Sequence, residues 1–255
     1  MGSKRKEIEL GLSKNKQLAD AYDRVIVKMH LQKQQYGKSV FLICGTDPKV
    51  GTTTCAKQLA VGLSKSGKKV VLLDTDMRKT LKEKKIEGDY KETLAEYLMK
   101  DITVDSILYP TESEKLSVIP GGISTDPVQL LCSDKMKELI ECIKEMFDYV
   151  IIDSPSMGAA ADANAIFSLV DQVILVVAPE RSYKKQMLDC YEYFKKYEVD
   201  LLGVIVNRID KYGYRDYMKN ADYYTGNYKN NWDEIMEWIQ GKQKAITKKM
   251  KRKEK

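Results

Sequence analysis

The chain has 255 residues, of which 43% are apolar and 31% charged, and a formal net charge of +6. That length suits one α/β domain with a large core, and no apolar run approaches the ~20 residues that a membrane span requires. Five scattered cysteines without a Cys-x-x-Cys pair, and a single histidine, His30, argue against a disulfide framework, a His-dependent triad and a His-rich metal site.

The first ten residues, MGSKRKEIEL, lack the apolar stretch of a signal peptide, and Lys6 stands where a myristoylation signal after Gly2 would need Ser or Thr. Residues 16–35 read as an amphipathic helix, with Leu18, Tyr22, Val25, Met29 and Gln32 near one stripe. After Gly37 and Lys38 comes the stretch SVFLICGTDPKVGTTTCAKQL, residues 39–59. Val40 to Cys44 reads as a buried parallel strand, residues 45–51 as a turn-rich loop, and three threonines open a helix. Strand, loop and helix in that order present backbone N–H groups at a helix N-terminus, where a phosphate is favoured. The layout is that of a P-loop, Gly-x4-Gly-Lys-Ser/Thr, with Gly45, Gly51 and Thr53 in place and Thr52 where the lysine belongs. The candidate nucleotide-binding residues are Gly45, Thr46, Asp47, Pro48, Val50, Gly51, Thr52, Thr53 and Thr54, with Lys49 the nearby replacement charge.

Residues 69–73 read as the second strand and 79–88 as a charged loop. Residues 90–99 and 104–108 read as short helices, 116–119 as a short strand and 121–127 as a loop. Ser133 is expected to cap a helix running to Phe147, with Asp134 in its first turn. Strands follow at 149–152, 172–178 and 201–207, with helices at 162–169 and 182–197 between them. Alternating strands and helices imply one mostly parallel sheet covered by helices on both faces; together with the loop at 45–53 the expected class is the α/β P-loop NTPase fold of the deviant-Walker kind. The expected division is an N-terminal segment and helix at 1–36, a core at 37–210, and a tail at 211–255 with a helix near 232–240.

Three strand ends should emerge at the carboxyl edge of the sheet, where ligands bind in open α/β folds. They carry Asp74, Asp76 and Arg78; Asp153, Ser154 and Pro155; and Asn207. Asp153, closing an apolar strand, fits the carboxylate that holds Mg²⁺ or its water, and Thr53 fits the hydroxyl ligand. Asp74 and Asp76 lie two apart on one side of an extended segment, so that one can serve the metal and the other accept a proton.

These residues resemble the bacterial tyrosine kinases of the capsule and exopolysaccharide systems. Asp74, Asp76 and Arg78 match that family's Asp-x-Asp-x-Arg motif, and Asp153 to Pro155 match the end of its Walker B run. The resemblance spans roughly residues 15–210, and the lack of a spanning segment is similar to the split, Gram-positive type. It implies Mg²⁺ and ATP as cofactors, Asp74 and Asp153 with Thr53 at the metal, Asp76 and Lys49 with them in catalysis, and Arg78 and Asn207 near the nucleotide. It further implies a separate transmembrane activator and an oligomer, although the family's Glu-Ala-Tyr/Phe-Arg-x-x-Arg motif is present only as Asp20-Ala21-Tyr22-Asp23-Arg24. Tyr212, Tyr214, Tyr217, Tyr223, Tyr224 and Tyr228, six of sixteen tyrosines, match the family's autophosphorylated cluster. The implied location is cytoplasmic, at the inner face of the plasma membrane through the partner.

Residues 241–255 hold eight Lys or Arg and one Glu, a local +7 that leaves the rest near −1 against the total of +6. Such a run suits either a solvated tail or attraction to anionic lipid at 242–255, and not nucleic-acid binding, which needs a basic folded face. Three functions follow: a tyrosine kinase acting on its own tail, a regulator with a degenerate P-loop, and a partition-type ATPase. Asp47, where that last class carries a second lysine, speaks against it.

Overall fold

The computed structural model describes residues 10, 16–78, 90, 92–157, 162–179, 181–182 and 184–209. The charged loop at 79–88, the tyrosine cluster, the helix expected near 232–240 and the basic run at 242–255 lie outside them. Among the described residues, no helix is long and apolar enough to cross a membrane.

In chain order come α1 (Lys16–Tyr36), β1 (Val40–Gly45), α2 (Thr52–Lys65), β2 (Val70–Asp74), α3 (Leu94–Met99), α4 (Val104–Ile107), β3 (Tyr109–Pro110), β4 (Leu116–Ile119) and α5 (Pro127–Leu131). Then follow α6 (Asp134–Met146), β5 (Tyr149–Asp153), α7 (Asp162–Ala165), a 3₁₀ turn at Phe167–Leu169, β6 (Gln172–Val177), α8 (Lys184–Lys196) and β7 (Leu201–Val206). Among the described residues the strands form one seven-stranded sheet in the order β3-β4-β2-β5-β1-β6-β7. Every pairing is parallel except β3 with β4.

Side chains alternate across the pleat, so each central strand feeds two cores. Val40, Leu42 and Cys44, with Val150 and Ile152, face one core, closed by Leu94, Leu131, Met136, Ile140, Ile143 and Met187. Phe41, Ile43, Tyr149 and Ile151 face the other, closed by Tyr22, Ile26 and Met29 of α1 and Ala56, Leu59, Ala60 and Leu63 of α2. Strands buried on both faces are why β1, β2, β5 and β6 read as unbroken apolar runs.

Several expected boundaries move. The helix expected from residue 90 starts at Leu94, because Thr93 forms a capping box with Glu96. Residues 109–110 form an edge strand and 127–131 a helix, both absent from the sequence reading. The helix expected over 162–169 splits into α7 and the 3₁₀ turn. Ser133 does cap α6, accepting from the Met136 N–H.

Candidate functional site

At the carboxyl end of β1 the chain must leave a buried strand and enter α2 within six residues. Two glycines permit it. A Cβ on Gly45 would meet Thr52 Oγ1 and Val50 Cγ2, each at 2.6 Å. Gly51 has φ 100°, a left-handed conformation that side chains resist, and a Cβ there would collide with Asn207 Nδ2. Lys49 also takes positive φ, 65°, and its side chain is exposed. A lysine here occupies a backbone shape that glycine adopts at less cost.

The loop is braced from both sides. Thr46 donates its N–H to the Val176 carbonyl, and its hydroxyl meets Ser182 Oγ at 2.7 Å. Asn207 Nδ2 donates to the Val50 carbonyl at 2.8 Å, while the Asn207 N–H bonds the Val177 carbonyl. Asp47 is buried, and its Oδ2 takes no hydrogen bond from any described residue. Its charge, after burial itself, helps push the Cys190 thiol up to about 12.

No side chain caps α2. The first helical N–H to find a carbonyl in the ladder is that of Cys55, which bonds Gly51 O at 3.0 Å. The donors of Thr52, Thr53 and Thr54 precede it at the positive end of a 14-residue helix. Thr52 and Thr53 are half-buried and Thr54 is exposed.

The carboxylates gather at the same edge. Asp74 and Asp153 are direct partners in the β2–β5 register. Each follows a residue facing the α6 and α8 core, so the pleat turns both toward the α2 side. Asp74 and Asp153 are 3% and 4% exposed, and Asp76 is 7% exposed. Local backbone fixes them: Asp74 Oδ1 accepts from the Asp76 N–H at 3.0 Å, and Asp76 Oδ1 from the Arg78 N–H at 3.3 Å. Arg78 is exposed at the rim. Asp153 also reaches Cys55 electrostatically; burial first, and then that carboxylate, lift the thiol to about 11, against a lowering from the Tyr22 hydroxyl bond.

The fold therefore brings together Gly45 to Thr54, Asp74, Asp76, Asp153 and Asn207, with Arg78 beside them. The six tail tyrosines lie outside the described residues. Two contributors escaped the sequence reading. Thr75 holds the Asp153 carbonyl with both its N–H and its hydroxyl, at 2.8 and 2.9 Å; its place between the two aspartates was a usable signal. Ser182, which holds Thr46 and the Ala178 N–H, is 136 residues from its partner and gave no local signal.

The residues fit a magnesium nucleotide. Glycines leave the loop concave, the α2 donors await an anion, and two paired carboxylates face them. Among the described residues no group of three His, Cys, Asp or Glu gathers as a metal cluster. One or two carboxylates, completed by phosphate and water, are what Mg²⁺ uses.

Comparison with known proteins agrees with this geometry. An AAA domain family matches residues 42–200. Tyrosine-protein kinase CpsD of Streptococcus pneumoniae serotype 4 is 31% identical over 180 residues, covering 68% of this chain and 79% of that protein. The chain belongs to the CpsD-like bacterial tyrosine kinase family. A putative tyrosine-protein kinase in the cps region of Klebsiella pneumoniae is 28% identical over 72% of this chain, which spans only 26% of that longer protein. Among solved structures, the chimerical protein CapA2B2 aligns with a TM-score of 0.70 at 26% identity, covering 75% of this bacterial tyrosine kinase chain and 85% of that one. The septum site-determining protein MinD of Pyrococcus horikoshii, complexed with Mg-ADP, aligns with a TM-score of 0.56 at 26% identity, covering 69% and 75%. The fold is thus that of the P-loop NTPases, whose loops bind nucleotide.

Proposed function

We propose that this chain is an ATP-dependent protein-tyrosine kinase that modifies its own cluster, Tyr212, Tyr214, Tyr217, Tyr223, Tyr224 and Tyr228, and so regulates capsular or exopolysaccharide synthesis and export. The observation that carries the reading is the register pairing of Asp74 with Asp153 opposite the uncapped start of α2.

When bound, magnesium-ATP supplies the transferable γ-phosphoryl group and the metal's charge. Gly45, Thr46, Asp47, Pro48, Val50 and Gly51 shape the loop, and the N–H groups of Thr52, Thr53 and Thr54 would donate to phosphate oxygens. The Thr53 hydroxyl, Asp74 and Asp153 would hold the metal or its water. Asp76 accepts the proton of the attacking tyrosine hydroxyl as the tyrosine oxygen bonds to phosphorus and the bond to the leaving ADP breaks. Lys49 provides the loop's exposed cation, Arg78 lies at the rim, and Asn207 keeps the loop closed against β7.

This reading divides the chain into 1–36, the core at 37–210 and the substrate tail at 211–255. Its partners are a transmembrane activator and further copies of the chain. It places the kinase in the cytoplasm at the inner face of the plasma membrane, with 242–255 adding attraction to anionic lipid. To test it, the full chain is incubated with Mg²⁺, ATP and the activator, and phosphotyrosine is mapped by mass spectrometry. Phosphate within 212–228 is expected. Its absence while calorimetry registers bound nucleotide would overturn the assignment.

Thr52 favours a second reading, a regulator that binds nucleotide through a degenerate loop and transfers nothing. Loss of one transition-state donor costs roughly 3 to 4 kcal/mol, or 100- to 1,000-fold in rate. Thr52→Lys separates the two. A kinase that already manages without the lysine gains modestly in autophosphorylation rate, whereas a degenerate loop gains by orders of magnitude from near zero.

A further inference from the structure

A second concavity lies at the opposite edge of the sheet. It is a half-open cleft of about 470 Å³, walled by the 3₁₀ turn, the starts of β6 and β7 and the end of α8. β6 runs six residues from Gln172 to its loop-bearing end at Val177, about 17 Å at ~3.3 Å per residue, so the cleft is no annexe of the phosphate loop.

Its lining is one-sided chemically. Asp171, Gln172, Glu198 and Asp200 contribute to it, and no lysine or arginine does. Two of the carboxylates are already engaged. Asp171 Oδ2 accepts the Ser39 and Val40 N–H groups, and its Oδ1 lies 3.5 Å from Lys144 Nζ. Asp200 Oδ2 accepts from Lys38 Nζ and from Gln172 Nε2. Glu198 has no ion pair among the described residues, so its charge is left over.

Two acceptors also lack a donor. Gln172 is 4% exposed, and the bond its Nε2 makes fixes the amide so that Oε1 is the orphan. Asn164 Oδ1, also lining the cleft, is buried and without a hydrogen-bond partner among the described residues. An unsatisfied buried acceptor costs about 1 to 3 kcal/mol, and a pair in one cleft asks for a multidentate donor. The wall is aromatic: Tyr193 and Tyr197 have ring centroids 4.4 Å apart, and Phe167 packs on Tyr193 at 5.7 Å. Tyr197 is more than half exposed, and Lys196 Nζ already lies 5.2 Å from its ring centroid, so the ring is a site where a cation sits and an arriving one displaces that lysine.

We propose that this cleft binds a guanidinium group, the side chain of an arginine carried by a basic polypeptide segment. A guanidinium is flat, always charged, offers five N–H donors in a fixed fork, and stacks on tyrosine faces. It meets all three observations at once: two acceptors needing donors, one surplus carboxylate, and an aromatic wall. An ammonium would answer the charge and the ring, as Lys196 does at Tyr197, but not the two separate acceptors, which need a planar fork of donors.

The test uses the full ¹⁵N-labelled chain titrated with N-acetyl-arginine-N-methylamide, followed by NMR shifts of the Gln172 side-chain amide and the backbone at 193–200. Saturable millimolar binding is expected. The matching lysine compound should bind at least about fivefold more weakly, and the uncharged, isosteric citrulline compound about tenfold. Glu198→Gln and Tyr197→Leu, both exposed and so safe for folding, should each weaken arginine binding at least about threefold. No shift at Gln172, equal binding of the lysine or citrulline compound, or an unchanged affinity in Glu198→Gln overturns the proposal. Arg252→Gln in the full chain then assigns the source. Tighter binding of the free compound identifies this chain's own basic run as the competitor, and unchanged binding identifies a segment of another protein; both outcomes uphold the site.

Discussion

Gly51 shows how much a single position carries. Its left-handed φ alone would cost an alanine about 1–2 kcal/mol. Its Cβ would also drive into Asn207 Nδ2 and break the bond to the Val50 carbonyl. Gly37 provides the control, with φ 71° and no atom within 4 Å of where a Cβ would sit. In urea titrations Gly51→Ala should lose at least about 1 kcal/mol more than Gly37→Ala, the usual worth of a lost hydrogen bond, and only Gly51→Ala should weaken nucleotide binding. His30 carries a pH dependence. Its Nδ1 lies 2.7 Å from the Tyr149 hydroxyl, and burial, then Lys68 and Lys33, lower its pKa from the usual 6.5. The unfolded chain therefore takes up this proton before the folded one. The contribution is complete above about pH 6.5 and is lost as the pH falls through the lower folded value. Thermal unfolding should shift to lower temperature on acidification below pH 6.5, and His30→Gln should flatten that part of the curve. The placement of the two glycines in the loop, of Thr53 at the start of α2 and of the aspartates at the strand ends was legible, because the proposed chemistry fixes residue type at fixed spacing. The brace by Ser182 was not, because only tertiary contact joins it to Thr46.

At the level of elements, what the sequence states most clearly is a strand buried on both faces, since its run between the ends is apolar throughout and polar residues enter only at a terminus, as Asp153 and Gln172 do. β1, β5 and β6 were read within a residue of their observed limits for that reason. Short elements were missed where the decisive signal was a contact across space. β3 is two residues long and exists because Tyr109 pairs with Val118. α5 is one turn opened by Pro127, whose ring suits the first helical position but is equally at home in a loop. The α6 cap was legible, because a Ser before an amphipathic run has one reason to be there, whereas the Thr93–Glu96 capping box of α3 was missed. Ser133 Oγ both accepts from the Met136 N–H at 3.3 Å and donates to the Leu130 carbonyl at 2.7 Å, tying α5 to α6. Ser133→Ala should cost about 1 kcal/mol, seen as a lower urea midpoint with an unchanged slope.

On the scale of the whole molecule, α1 decides how the loop-bearing face is closed. The sequence assigns residues 1–36 to a segment ahead of the core, yet the helix is keyed into that core at four heights. The Tyr22 hydroxyl bonds Cys55 Sγ on α2 at 3.3 Å, Lys28 reaches the Leu202 carbonyl on β7, His30 meets Tyr149 on β5, and Lys33 reaches the Asp148 carbonyl. Between these polar pins Ile26 and Met29 fill the space over the sheet, and Met29 is wholly buried. α1 thus packs beside α2 on the same face of the sheet and holds its flank, and the α2 N-terminus keeps its aim at Asp74 and Asp153 only while that contact holds. Met29→Ala tests the coupling. It opens a cavity under α1 far from the phosphate loop, and should cost about 2–5 kcal/mol of stability. If α1 is a wall of the core, denaturation remains a single transition, and nucleotide binding is lost only in step with global unfolding. If residues 1–36 form an independent segment, the variant instead loses α1 first, as an early transition by helix content, while the loop still binds nucleotide.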